Sequence, residues 1–141
     1  MRKRVMASLT ALALFAIVGA TSVTAGVTIS ETIPGNPPCD GTKIDPVANG
    51  SYALAGGGHV VITVHSTAMG PTFDFDTEGS ATVSSVMVKG GPNAILWSFS
   101  PAVESWDGLH APLNLNNGKW YGLSHICFAS EKKDGDGGGK K

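Results

Sequence analysis

Residues 82–99 read TVSSVMVKGGPNAILWSF, two strand-like runs separated by a turn. Val86-Met87-Val88 is a short apolar run rich in β-branched residues, the pattern of a buried strand. Gly90 and Gly91 tolerate positive φ, Pro92 fixes its own φ, and the Asn93 side chain can close the turn. Beyond the turn Ile95, Trp97 and Phe99 alternate with Ala94, Leu96 and Ser98, so the two sets point to opposite faces. Both faces carry apolar residues, which places this hairpin at the centre of a sheet.

The flanking sequence repeats the same theme. Tyr52 and Leu54 share a face in a strand over 51–55. Gly56-Gly57-Gly58 turns the chain into a strand over 60–65, where Val60, Ile62 and Val64 oppose His59, Val61, Thr63 and His65. In 72–76, Phe73 and Phe75 point inward and Asp74 and Asp76 outward. A first strand is expected over 26–33 and an extended piece over 43–46. Asn49-Gly50-Ser51 reads as a turn and also has the form of a glycosylation acceptor. A last strand is expected over 120–128. Short strands separated by Gly, Pro and Asn turns, with no helical period, predict one all-β domain, an antiparallel β-sandwich of immunoglobulin-like or jelly-roll-like type.

The two ends of the chain read differently. Arg2, Lys3 and Arg4 precede an apolar run over 5–18, and Val23-Thr24-Ala25 supplies a peptidase site. Residues 1–25 are therefore expected to be a secretory signal peptide, too short in its apolar run for a permanent anchor. No stable membrane insertion is expected once it is removed. Residues 131–141, EKKDGDGGGKK, have no apolar side chain and are expected to form a disordered tail, leaving 26–130 as the domain.

Charge narrows the partners. From Gly26 onward the chain has seven lysines, no arginine and eleven carboxylates, a net −4; up to Ser130 the balance is −5. Phosphate recognition rests on cationic contacts, so nucleic acid is not an expected partner. A neutral glycan or a protein surface fits better. The two cysteines, Cys39 and Cys127, are expected to pair in a secreted chain. That closure spans 88 residues and is worth roughly 4–5 kcal/mol on the chain-entropy model.

Several residues invite a chemical reading. Asp74, Asp76 and Glu78 alternate ahead of Gly79 like the front of a calcium loop, but the twelfth position, where such a loop needs a bidentate glutamate, is Ser85. His59 and His65 share a strand face yet stand about 20 Å apart. His110 and His125 lie in separate segments. Ser124 and His125 are adjacent on a strand and point to opposite faces, against a nucleophile–base pair. Residues 100–119 show no periodicity and read as a long loop, where Trp106, Asp107, His110 and Asn114 offer an apolar face with directional polar groups for a weak ligand site. No cofactor or metal is called for.

Val86-Met87-Val88-Lys89-Gly90-Gly91, Asp107-Gly108-Leu109-His110-Ala111-Pro112 and Tyr121-Gly122-Leu123-Ser124-His125-Ile126-Cys127-Phe128 together resemble an uncharacterised family of secreted bacterial proteins and surface-protein N-terminal ectodomains. Cys39 and Lys43-Ile44-Asp45-Pro46 follow the same pattern. The resemblance covers residues 39–128. It implies an extracellular β domain and brings no catalytic residues. The expected function is a secreted structural or binding module associated with the cell envelope and without catalysis. The alternatives are a secreted hydrolase of an extracellular polymer and a calcium-stabilised binding module.

Overall fold

The computed structural model describes residues 27–132. The expected signal peptide and residues 133–141 of the expected tail lie outside the described residues. Among the described residues eleven strands follow one another: β1 (Val27–Pro34), β2 (Thr42–Ile44), β3 (Gly50–Ala53), β4 (His59–Thr67), β5 (Gly70–Glu78), β6 (Ala81–Gly90), β7 (Asn93–Val103), β8 (Ser105–Leu109), β9 (Leu113–Asn114), β10 (Lys119–Trp120) and β11 (His125–Lys132). They form a five-stranded sheet in the order β1-β7-β6-β11-β2, a four-stranded sheet in the order β3-β4-β5-β8, and a β9-β10 ribbon. Every pairing is antiparallel. The expected all-β antiparallel sandwich is the observed fold.

Period-two alternation puts one apolar face of each sheet against the other. The four-stranded sheet contributes Val60, Ile62, Phe73 and Phe75, and the five-stranded sheet Ile44, Val86, Val88, Phe99, Ile126 and Phe128, all in one buried cluster. Phe75 stands between the sheets, edge-on to Phe99 at 6.1 Å and to Phe128 at 5.3 Å. The hairpin that opened the sequence reading joins β6 to β7 at the centre of the larger sheet.

The β6–β7 turn is packed as well as tight. Gly90 pairs with Asn93, Gly91 has φ 60°, and Pro92 follows. Positive φ at the first central position with proline at the second is the type II′ pattern. A Cβ on Gly91 would lie 2.6 Å from the Tyr121 ring. One on Gly90 would lie 2.4 Å from Ala111 Cβ. Ser124 N donates to Lys89 O at 2.8 Å, and Tyr121 N donates to Pro112 O at 3.0 Å. Three separated pieces of sequence, residues 86–91, 107–112 and 121–128, therefore meet at one end of the sandwich.

Three expectations need correction. Residues 100–119 are not one irregular loop: β7 runs on to Val103, β8 pairs with β5, and β9 and β10 form the ribbon. A bulge between Phe73 and Phe75 in the β5–β8 ladder breaks the period that would have revealed β8. Trp120 belongs to the ribbon, and the last strand starts at His125 rather than at 120. It also continues past Ser130, with Glu131 opposite Thr82 and Lys132 opposite Ala81, so these two residues belong to the strand and not to the expected tail.

β1 and β2 lie on opposite edges of the same sheet. Residues 35–41 must therefore cross the sheet, and they do so over its outer face. Gly35 N starts the crossing by donating to Pro92 O at 3.0 Å. The Cys39–Cys127 disulfide, with Cα atoms 5.7 Å apart, then fastens it to β11 above a small apolar cluster of Met87, Ala94 and Leu96. Replacing both cysteines by alanine is expected to lower stability by about 2–5 kcal/mol, seen as a reduced midpoint in guanidinium unfolding. An unchanged midpoint would show that the crossing holds without its bridge.

Candidate functional site

The four residues expected to form a ligand site are divided by the fold. Trp106 lies opposite Phe75 in the β5–β8 ladder and packs against Phe99 with ring centroids 5.0 Å apart. It faces the core side and keeps 36% of its surface exposed. Asp107 faces the other way, into a groove on the outer surface of the four-stranded sheet. His110 stacks flat on Trp120 at 3.8 Å and meets Trp97 edge-on at 5.5 Å, while its Nδ1 lies 2.8 Å from Ala111 O. Asn114 builds a turn: its Oδ1 accepts from Asn116 N at 2.9 Å, and its carbonyl accepts from Gly118 N at 2.8 Å. Trp106 and His110 thus serve aromatic packing along one side of the sandwich. Asp107 and Asn114 do not converge with them.

The groove that holds Asp107 has a volume of about 450 Å³ and is also lined by Asp74, Asp76 and Glu78. The alternation read from the sequence is right: these carboxylates are on the outer face. Asp74 is already engaged at both oxygens. Oδ2 lies 2.8 Å from His65 Nε2, and Oδ1 accepts from Gly108 N at 2.8 Å. It ties β4, β5 and the bulge of β8 together. Ser85, at the twelfth position of the calcium-loop pattern, is in the other sheet, paired with Ala129 and Ser98. Among the described residues no group of three or more His, Cys, Asp or Glu side chains is arranged to hold a metal ion.

A second groove, of about 520 Å³, lies on the outer face of the five-stranded sheet, below the disulfide-fastened crossing. Asp40 and Pro38 of the crossing form one wall and the β3–β4 turn at Ala55 another. The floor is made by Met87, Leu96 and Ala129, with the hydroxyls of Ser84 and Ser85 beside them. A bulge between Val83 and Ser85 brings those two serines together, and Ser84 Oγ donates to Ala129 O at 3.2 Å. The result is an apolar floor with a few directed polar groups, the composition of a small-ligand or chain-binding groove. The sequence signal for it is faint. It lies in the small size of the outward residues Ser85 and Ala129, which leave a hollow beside the bulkier Met87–Leu96 row.

His125 sits near the head of this face. It is 7% exposed and pairs with Lys89 in the ladder. Burial lowers its pKa from the ordinary histidine value. Lys43 lowers it further, Asp45 works in the opposite direction, and Lys89 adds to the lowering. These influences together favour the neutral imidazole. Ser124 precedes it, with its backbone N–H committed to Lys89.

No family model, no curated protein and no solved structure matches this chain.

A buried histidine with a depressed pKa binds its proton less readily in the folded state than in the unfolded chain. Stability is then full above the unfolded value of about 6.5 and falls as pH drops below it. Thermal unfolding between pH 7.5 and 5 is expected to show this loss. His125→Gln should flatten that part of the profile relative to the parent protein. Parallel profiles for the two would show that His125 is not the group responsible.

Proposed function

We propose that this protein is a secreted, non-catalytic structural or binding module of the cell envelope, and that its ligand surface is the groove on the outer face of the five-stranded sheet. The observation that carries the reading is the groove itself. It has a rigid floor of central strands, a wall held by a disulfide, and hydroxyl and carboxylate groups at its margins. The acidic balance of the domain makes a neutral glycan or a protein surface the fitting partner. The disulfide agrees with an extracellular setting. Among the described residues no helix is long and apolar enough to cross a membrane. The resemblance of residues 39–128 to surface-protein ectodomains supports the envelope placement. The non-catalytic reading is supported by the division of Asp107 from His110.

The test is thermal unfolding of the purified protein against a panel of neutral envelope polysaccharides and envelope proteins. A ligand present at about a hundred times its Kd stabilises the folded state by about 2.7 kcal/mol, on the order of 10 °C for a domain of this size. Ala129→Trp, which fills the floor of the groove, is expected to abolish the shift, and Trp106→Ala to leave it intact. A shift that survives Ala129→Trp and disappears with Trp106→Ala would move the site to the aromatic side of the sandwich. A flat panel would argue against binding of the ligand classes tested.

A further inference from the structure

The sandwich has four sheet edges, and it guards them unequally. β2 has three residues and β3 has four. β8 has five, and its ladder with β5 is interrupted by a bulge. Short and bulged edges resist pairing with another chain. β1 is different. It has eight residues in unbroken register with β7, from Val27 opposite Ser100 to Pro34 opposite Asn93. Among the described residues its other side has no strand partner. It carries no lysine or arginine, and its proline is at the last position, where it blocks nothing upstream. Ile29, Ser30, Glu31 and Thr32 are all exposed, Ile29 to 57%.

We propose that β1 is a dimerisation edge, pairing antiparallel with β1 of a second copy about a two-fold axis through Ser30. The choice of partner and register follows from the strand itself. In an antiparallel ladder, residues that exchange hydrogen bonds must both turn their N–H and C=O toward the partner strand, and that direction alternates along the chain. When a strand pairs with its own copy, each residue must therefore face one of the same parity, and the axis falls on a residue rather than between two. An axis on Glu31 sets two carboxylates directly opposite, which is unfavourable. An axis on Ile29 leaves little of the strand paired. With the axis on Ser30, Thr28 faces Thr32 on the inner side, and Ile29 faces Glu31 on the outer side. The threonine pair is of a kind that stabilises antiparallel ladders. The contact is isologous and closes on itself, so it gives a dimer and not a fibre. It lies at the sheet's edge and makes no use of the proposed ligand groove.

Analytical ultracentrifugation of the purified protein is expected to show a reversible dimer. Ser30→Lys puts two cations opposite each other at the axis and should weaken the dimer roughly fivefold or more, with no change in melting temperature at dilution because Ser30 is exposed. The register is read by crosslinking. Directly opposed residues have Cα atoms about 4.5–5.5 Å apart, within disulfide range. Ser30→Cys is therefore expected to form an intermolecular disulfide with itself under mild oxidation. Thr28→Cys and Thr32→Cys should each fail alone and crosslink when mixed, with Cys39–Cys127 confirmed intact by peptide mapping. A protein that stays monomeric at millimolar concentration overturns the proposal. So does a dimer indifferent to Ser30→Lys, or Thr28→Cys crosslinking alone as readily as Ser30→Cys.

Discussion

Phe75 holds the two sheets together, and most of the architecture follows from how it is packed. It projects from the four-stranded sheet between Phe99 and Phe128 of the five-stranded sheet, edge-on to both. Burial of an aromatic side chain of this size is worth about 1.5–3 kcal/mol, and edge-to-face contacts add roughly 0.5–1.5 kcal/mol each. Phe75 can occupy that position only if Asp74 and Asp76 point outward, because neighbours on a strand alternate. The core thus dictates the acidic outer face of the smaller sheet. With the main core cluster confined to the single layer between the sheets, both outer faces are left to other uses. One becomes an acidic groove braced by Asp74. The other becomes a mixed groove beneath a disulfide-fastened crossing.

A second constraint is the close approach around Gly90 and Gly91. A methyl group at either position would collide with Ala111 or with the Tyr121 ring. The main chain of Ser124 hydrogen-bonds to Lys89, and that of Tyr121 to Pro112. Residues 86–91, 107–112 and 121–128 therefore build one packed end of the sandwich. Their joint occurrence in the sequence is explained by their joint occurrence in space, with no ligand required. That is also why these motifs point to a fold more clearly than to a chemistry.

Much of the fold was legible because its central strands alternate cleanly. β4, β5 and β7 show their inward residues directly, the Gly-Gly-Pro-Asn turn marks the hairpin, and an even cysteine count in a chain expected to be secreted points to the bridge. β8 was hidden because its bulged pairing with β5 destroys the period on which recognition depends. The candidate ligand residues are separated by the fold for a related reason. Trp106 and Asp107 are adjacent in a region read as loop, where neighbours can converge; as strand residues they face opposite sides of a sheet. The mixed groove was invisible for another reason. It is assembled from small residues on several elements, and what defines it is missing bulk.

The order of strands explains why one edge has no partner strand among the described residues. Chain reversal between neighbouring strands would have placed β2 beside β1 and covered it. Instead β1 pairs with β7, and β2 with β11 on the far side, so the connection between them runs over the outer face. That crossing shields Met87, Ala94 and Leu96, and the Cys39–Cys127 bridge holds it there against the entropy of a long loop. The same route carries the chain away from β1, and among the described residues no later strand returns to pair with its outer side. The covered face and the uncovered edge are two results of one topological choice. A disulfide that stabilises the first leaves the second free for contact with another molecule.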